Sequence, residues 1–212
     1  MEKIIAEDLL KIKAVFLKPE DPFTWASGIK SPIYCDNRMT LSYPDVRRDV
    51  EQALAEIVKE YYPDCQVLMG TATAGIAHAA LTAEILHLPM GYVRGSAKDH
   101  GRKNQIEGKC EPGTKAVIIE DLISTAGSSV ETAAALREAG AEVLGIASIF
   151  TYGMAKADDN MRAHDLVNHS ACTYDTLLET AAELGYIKAE NIPGLLAFRS
   201  HPDDPSWMEQ IH

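Results

Sequence analysis

The stretch KAVIIEDLISTAGSS, Lys115–Ser129, carries more structural information than any other part of the chain. A short Val/Ile run bounded by turn residues is typical of a buried parallel strand, and this run ends in Glu120 and Asp121. The small and hydroxyl-bearing residues Ser124–Ser128 then lead into a helix-like segment, whose first backbone N–H groups suit a phosphate. The two acids are placed to accept hydrogen bonds from sugar hydroxyls or to hold Mg²⁺ through water. We therefore expect a site for a sugar phosphate here.

Two common nucleotide-binding motifs are excluded by the same stretch. It lacks the GxxxxGK[ST] spacing of a Walker A loop, and no GxGxxG dinucleotide fingerprint is present. The plain alternative is an ordinary strand–turn–helix unit with two solvated acids at the end of the strand.

Composition limits the class of protein. The chain has 212 residues, a net charge of −11 and a sequence pI near 5.0. An acidic chain without a separate basic arm is a poor nucleic-acid binder, so we expect no nucleic-acid partner. The longest apolar runs are too short for a transmembrane helix, and the N-terminal MEKIIAEDLLKIKAVF is not a signal peptide because acids and lysines alternate with its apolar residues.

The cysteines indicate a reducing compartment. Cys35, Cys65, Cys110 and Cys172 are scattered and form no CxxC pair, which is typical of reduced thiols in a cytoplasmic protein. His169 and Cys172, with His164 nearby, could form part of a metal site, but surface or turn residues are the favoured interpretation because no second ligand pair accompanies them.

Hydrophobic periodicity predicts strands that alternate with helices. Such alternation favours a mostly parallel sheet covered by helices on both faces, with ligands at the carboxyl ends of the strands. We expect one domain over residues 1–212, with a helix and flap at 1–40 and a core at 60–175, and we expect the tail after Arg199 to be loose. The predicted strands are 67–69, 90–93, 115–120 and 143–150, and the predicted helices are 4–16, 43–61, 75–86, 128–139, 155–162, 176–184 and, weakly, 187–198.

A long polar loop concentrates positive charge. YVRGSAKDHGRKNQIEGKC, residues 92–110, carries five basic side chains against two acids, namely Arg94, Lys98, Arg102, Lys103 and Lys109. Basic charge in an acidic chain suggests an anionic ligand, and the glycines of the loop suit a lid. Taken alone, a solvated surface loop is the simpler interpretation.

Two further segments gain meaning only from their order in the chain. GTATAG, Gly70–Gly75, offers small residues that let the backbone approach a ligand. FTWASGIKSPIYCDNR, Phe23–Arg38, offers aromatic faces and strand backbone that would suit a planar heterocycle. Alone, the first is better explained as an ordinary strand–helix connection, and the second as a hydrophobic hairpin packed on the core.

Together these motifs resemble the orotate phosphoribosyltransferases, a type I phosphoribosyltransferase family. FTWASGIKSPIYCDNR, GTATAGIAHA, YVRGSAKDHG…NQIEG, VIIEDLISTAGSS and IFTYG match that family in order, up to about Tyr174. The resemblance implies a type I phosphoribosyltransferase-like parallel sheet with a small N-terminal flap or hood. It also implies phosphoribosyl transfer from 5-phosphoribosyl 1-diphosphate (PRPP) to orotate in a homodimer, with Mg²⁺ bridging pyrophosphate and ribose oxygens and keeping several waters.

The resemblance also implies roles for individual residues. PRPP-binding residues would be Arg94, Lys98, His100, Glu120, Asp121, Leu122, Ile123, Ser124, Thr125, Ala126, Gly127 and Ser128. Orotate-binding residues would be Ser124, Tyr34, Cys35 and Tyr152. Lys98, His100 and Asp121 would be catalytic, with the loop basic residues reaching the pyrophosphate of the neighbouring subunit. GTATAG would be the pyrophosphate loop, where a non-proline cis peptide is common in this family.

Some positions depart from the family pattern. Gly95, Ala74 and Ala26 stand where relatives often have lysine, and Ala126 stands where the PRPP motif usually has glycine. Thr151–Tyr152 replaces an arginine that often binds the orotate carboxylate, so Lys30 or flap amides are candidates for that task. The alternatives left open are a type I enzyme for another nucleobase and a PRPP-sensing regulator without catalysis.

Overall fold

The computed structural model describes residues 1–24, 28–95 and 105–212, and a six-stranded sheet forms its centre. The strands are β1 Val15–Leu17, β2 Phe23–Thr24, β3 Lys30–Ser31, β4 Ile33–Cys35, β5 Val67–Thr71, β6 Met90–Val93, β7 Ile106–Glu107, β8 Lys115–Ile123, β9 Glu142–Thr151 and β10 Asn168–Thr173. The large sheet has the order β10-β9-β8-β5-β6-β7, and every neighbouring pair is parallel except β6 with β7. The predicted α/β class is confirmed.

The helices follow the strands in the expected alternation. They are α1 Glu2–Lys11, α2 Pro44–Tyr61, α3 Gly75–Leu86, α4 Gly127–Glu138, α5 Ala155–Ala163, α6 Tyr174–Glu183 and α7 Ile192–Ser200, with short 3-10 helices at Asn37–Ser42, Ala189–Asn191 and Pro205–Gln210. Pro44 starts α2, where its missing N–H and fixed φ are compatible with the first turn of a helix.

Both faces of the sheet are covered, as period-2 side chains on buried parallel strands require. On β8, Val117 and Ile119 pack in the core shared with α1, α2, α3 and α6. Ala116 and Ile118 point to the opposite core, which contains residues of α4 and α5. The carboxyl ends of the parallel strands therefore meet at one uncovered edge, where their loops lie together.

A small appendage precedes the sheet. β1 pairs antiparallel with β4, and β2 pairs antiparallel with β3. The predicted hairpin or flap is therefore present on both sides of residues 25–27, which lie outside the described residues. The 3-10 helix after β4 connects it to α2 and lies beside the end of β8.

The structure corrects two local predictions. Residues after Arg199 are not loose, because the 3-10 helix Pro205–Gln210 places Trp207 in the core with 1% exposure. His169 and Cys172 are not turn residues but belong to β10, where Cys172 is fully buried and His169 stacks on Tyr61. Over the described ranges, no helix combines the length and apolar character needed to span a bilayer.

Candidate active site

Glu120 is the buried acid of the site at the end of β8. Its side chain is 4% exposed, and its Oε2 accepts hydrogen bonds from Ser128 Oγ at 3.0 Å and Ser129 Oγ at 3.1 Å. Its Oε1 accepts from the backbone N–H of Asp121 at 3.1 Å. Burial raises the pKa of Glu120 to about 8, and the negative charge of Asp121 adds to the shift. A ligand that brings hydroxyl donors or positive charge would favour its ionised form.

Asp121 occupies the more open position of the pair and is partly exposed. Its backbone carbonyl accepts a hydrogen bond from Asn37 Nδ2 at 2.6 Å, and Asn37 Oδ1 in turn accepts from Cys35 Sγ at 3.3 Å. The sequence interpretation did not single out Asn37 or Ser129. Ser129 could have been found from its place in the first turn of the predicted helix, whereas Asn37 is separated from Asp121 by 84 residues.

The turn from Ser124 to Ser128 has the features of an anion-binding helix start. α4 begins at Gly127, and no side chain of the described segments caps its first turn. Ala126 is left-handed with φ 62°, which turns the chain from the strand into the helix. Asn160 Nδ2 of α5 donates to the carbonyl of Thr125 at 2.7 Å and so supports the turn from behind. Uncapped N–H groups at a helix start are donors that a phosphate can accept from.

Leu122 and Ile123 join the acids to this turn without exposing polar side chains. Ile123 is fully buried, and its carbonyl accepts from the backbone N–H of Tyr152 at 3.0 Å. Leu122 is partly buried against the core of α1–α3. Ile123 could therefore contact PRPP only through its backbone. Leu122 could use its backbone and the exposed part of its side chain.

The loop Gly70–Gly75 leaves no room for a side chain at either end, because Gly70 lies against Gly75 and Gly75 lies against β8. A Cβ on Gly70 would lie 2.6 Å from the carbonyl oxygen of Gly75, and a Cβ on Gly75 would lie 2.4 Å from that of Ile119. The Ala72–Thr73 peptide is cis, as the resemblance implies. The loop is thereby fixed one residue from Glu120.

A small pocket lies where three loops meet. Thr71 and Ala72 of the glycine loop line it together with Arg94, which follows β6, and Ser128 of α4. Thr71 Oγ1 is buried and has no hydrogen-bond partner among the described residues. Arg94 Nε lies 3.3 Å from Glu107 Oε1. The structure thus brings Arg94 beside Ser128 at the start of α4, whereas Lys98 and His100 lie outside the described residues.

The segment predicted to hold the base is joined to Asp121 through Asn37. The ring of Tyr34 is 45% exposed and lies 5.8 Å from that of Phe23, centroid to centroid. Burial raises the pKa of the Cys35 thiol well above its usual value, and the charge of Asp121 adds to this. Lys30 Nζ donates to Thr24 Oγ1 at 2.7 Å. Cys35 is therefore joined to Asp121 through Asn37, and Tyr34 precedes it on β4.

Tyr152, also predicted to bind orotate, is mainly a core residue. Its side chain is 5% exposed and packs edge-on against Phe150, with 5.3 Å between ring centroids, and near Tyr174 at 6.1 Å. Burial raises its pKa. Any contact with a ligand would use the small exposed part of the residue.

The comparisons with known proteins agree with this geometry. Residues 40–176 match the family described as phosphoribosyl transferase domain. The orotate phosphoribosyltransferase of Bacillus subtilis (strain 168) is 52% identical over 210 residues, which cover 99% of this chain and 97% of that protein. That of Bacillus cereus (strain B4264) is 53% identical over 208 residues, which cover 98% and 99%. The crystal structure of the Aeropyrum pernix orotate phosphoribosyltransferase aligns with a TM-score of 0.74 and 28% identity, over 86% of this chain and 98% of that one.

Proposed function

Because this chain belongs to the orotate phosphoribosyltransferase family, we propose that it transfers the 5-phosphoribosyl group of PRPP to N1 of orotate. The products are orotidine 5′-monophosphate and pyrophosphate, and the reaction serves pyrimidine (UMP) synthesis. The observation that carries the proposal is the meeting of the acid pair, the uncapped helix start and the glycine loop at one edge of the sheet, in a chain 52% identical to a named relative.

The ribose and the 5′-phosphate are bound by adjacent parts of one turn. Glu120 and Asp121 accept hydrogen bonds from the ribose hydroxyls, and the backbone N–H groups from Ser124 to Ser128 hold the phosphate. Glu120 is tied by Ser128 and Ser129 to the same helix start that binds the phosphate. The diol and the phosphate are therefore fixed relative to each other before reaction, which lowers the entropic cost of reaching the transition state.

The basic side chains of the site act mainly on the pyrophosphate leaving group. Breaking the bond at the anomeric carbon produces an oxocarbenium-like centre and releases pyrophosphate as an anion. Arg94 beside the glycine loop, with Lys98 and His100 of the partner subunit, stabilises that anion and can donate a proton to it. Removing one such contact costs about two to three factors of ten in rate, or about 3 to 4 kcal/mol.

Mg²⁺ fits the donor set at this edge. Two neighbouring carboxylates, one of them buried and with a raised pKa, would be stabilised by a cation bound to the substrate. Among the described residues no group of three His, Cys, Asp or Glu side chains is arranged to hold a metal ion. We therefore propose that Glu120 and Asp121 would hold Mg²⁺ mainly through water when it is bound to PRPP, and that the ion would supply positive charge against the pyrophosphate.

The base lies over the flap. Tyr34 and Cys35 offer backbone groups and one aromatic face to the orotate ring, Ser124 lies between base and phosphate, and Tyr152 lines the floor. The catalytic loop is supplied by the partner subunit of a homodimer. Residues 1–40 then act as the base-binding flap of a single phosphoribosyltransferase domain.

The decisive test is an absorbance assay of orotate consumption with PRPP and Mg²⁺. We expect turnover that stops when Mg²⁺ is chelated. Turnover of adenine or hypoxanthine with none of orotate would instead assign the chain to another branch of the superfamily.

Asp121→Asn tests the ribose assignment. The amide keeps the shape but has one acceptor oxygen fewer, and a lost charge-assisted hydrogen bond costs about 1.5–3 kcal/mol, or about 10- to 100-fold. We expect kcat/KM for PRPP to fall by that factor, while the Kd of orotate changes much less. The exposed Asp203 of the tail gives the control Asp203→Asn, which should match the wild type. Unchanged PRPP kinetics in Asp121→Asn would remove Asp121 from the site.

A further inference from the structure

Asn37 is a fully buried polar side chain that joins two parts of the proposed site. Its Nδ2 donates to the backbone carbonyl of Asp121 at 2.6 Å, and its Oδ1 accepts from Cys35 Sγ at 3.3 Å. Its own carbonyl accepts from Thr40 Oγ1 at 2.6 Å, so its backbone is held as well. The residue therefore has a fixed position and little freedom to exchange partners.

The end of β8 needs an external support of this kind. β5 pairs with β8 only as far as Ile119, whereas β9 continues to pair up to Ile123. Beyond Ile119, β8 consequently has a strand neighbour on one side only within the described ranges. A buried carbonyl without a donor is costly, and Asn37 supplies the donor for Asp121. A displacement of the flap is thus transmitted directly to the backbone of the ribose-facing acid.

We propose that Asn37 is a positioning residue that couples the base-binding segment Tyr34–Cys35 to the ribose-binding Asp121. The inference rests on the proposed function, because it takes its two subsites from there. A base bound at the flap and a ribose phosphate bound at the turn after β8 would each favour the same position of Asn37. Each ligand should then tighten the binding of the other by the same factor.

The thiol of Cys35 fixes the orientation of the amide. Because burial raises the pKa of Cys35, the thiol stays protonated near neutral pH and donates to Asn37 Oδ1. The Nδ2 group is then the end that faces Asp121. Asn37→Leu keeps most of the side-chain volume, but it can neither donate to the Asp121 carbonyl nor accept from Cys35 Sγ. The link should break without loss of side-chain volume.

The test measures coupling with a ligand pair that cannot react. Ribose 5-phosphate carries the diol and the 5′-phosphate but no pyrophosphate, so it can bind together with orotate without turnover. Calorimetry gives the Kd of orotate with and without saturating ribose 5-phosphate, and the ratio of the two is the coupling factor. We expect a factor of about five or more in the wild type and a factor near one in Asn37→Leu.

A matched control separates positioning from general loosening. Asn191 is also fully buried and donates through Nδ2 to Glu20 and accepts from the N–H of His212, far along the chain from the site. Asn191→Leu should lower stability in the same way yet keep the wild-type coupling factor. Asn37→Ser, which removes both contacts with a smaller polar side chain, replaces Asn37→Leu if circular dichroism shows that variant to be unfolded.

Each result decides the inference. Wild-type coupling in the Asn37 variant, no coupling in the wild type, or equal loss in both Asn variants would overturn it. Its failure differs from failure of the proposed function, which appears as a wild-type protein that does not consume orotate with PRPP. A protein that shows coupling but no turnover would keep Asn37 as the link and reject the reaction.

Discussion

At the scale of single residues, Ala126 has a backbone conformation that is unusual for alanine. Its φ of 62° lies in the left-handed region, which costs an L-residue about 1–2 kcal/mol relative to the right-handed helix. Its methyl group is 4% exposed and packs in the core of α4 and α5, where burial of one such group returns about 0.8 kcal/mol. The methyl contact offsets much of the strain, which explains how alanine can stand where the family usually has glycine.

Ala126→Gly should therefore change stability very little. The gain from relieved strain is opposed by the lost methyl contact and by the greater entropy of glycine in the unfolded chain. We expect the free energy of unfolding, from urea titration, to shift by less than about 0.5 kcal/mol. The same substitution at the exposed Ala134 within α4 should cost about 1 kcal/mol. Equal losses at the two positions would contradict the strained turn.

Glu120 makes stability depend on pH in a direction that its raised pKa fixes. Between about pH 4.5 and 8 the folded protein keeps a proton on Glu120 that the unfolded chain has released. Because the folded state binds more protons there, the contribution of this group to stability falls as the pH rises and levels off above about pH 8. The buried acid is thus a cost of the site in the absence of ligand.

Glu120→Gln should remove this contribution. Relative to the wild type, we expect the free energy of unfolding of the variant to improve steadily in urea titrations at pH 5, 6.5 and 8. The exposed Glu138 at the end of α4 gives the control Glu138→Gln, whose difference from the wild type should stay constant. A constant difference for Glu120→Gln as well would mean that Glu120 is ionised in the folded protein throughout that range.

Residue chemistry could be predicted from sequence only where the residues are neighbours in the chain. Glu120, Asp121 and the turn up to Ser128 are consecutive, so one motif places them together. Asn37 reaches Asp121 across 84 residues and Asn160 reaches Thr125 across 35. Such contacts depend on how the elements pack in space. A single asparagine forms no repeating sequence pattern, so the sequence does not predict its contact.

At the scale of elements, buried strands and amphipathic helices were predictable because burial imposes a period. β8 is apolar on both faces, and α2 has an apolar stripe from Val46 to Val58. The edge strand β10 was missed because its sequence NHSACT is polar at several positions that an edge strand tolerates. The tail was missed because one aromatic residue, Trp207, anchors it instead of a repeating pattern.

Trp207→Ala tests whether the tail is an integral part of the core. Trp207 packs edge-on against Phe198 of α7 at 5.6 Å between ring centroids, and truncation of a buried Trp costs about 3 to 5 kcal/mol. We expect a loss of this size in urea unfolding. Glu209→Ala in the same 3-10 helix, on an exposed residue, should stay within about 0.5 kcal/mol of the wild type. Equal stabilities of the two variants would restore the loose tail that the sequence predicts.

At the scale of the whole molecule, the basic loop leaves and re-enters the sheet at one point. The backbone N–H of Arg94 donates to the carbonyl of Gln105 at 2.9 Å, and Gln105 Nε2 donates back to the carbonyl of Arg94 at 3.1 Å. The Arg94–Gln105 pair lies next to the β6–β7 pair at the edge of the described sheet, and β6 is two strands away from β8. Both ends of the loop therefore lie at the edge of the described sheet, and the proposed homodimer requires the loop residues to reach a second subunit.

Complementation between two inactive variants tests the shared site. In a dimer that exchanges loops, Asp121 of one subunit works with Lys98 of the partner subunit. A mixed dimer of Lys98→Ala and Asp121→Asn chains then has one site with both defects and one site with neither. We expect such mixtures to recover up to about half of the wild-type activity per dimer, because one of two sites is intact.

A loop that serves its own subunit predicts a different activity for the mixed dimer. If each loop served its own chain, every site of the mixed dimer would carry one defect, and activity would stay at the level of the parent variants. Subunit exchange has to be confirmed by purifying the mixed dimer through two different tags, since unexchanged parents would also be inactive. A doubly tagged dimer as inactive as its parents would place Lys98 and Asp121 in the same chain's site. Recovery near one half would require both subunits for a single active site, so that dilution below the dimer dissociation constant should abolish activity.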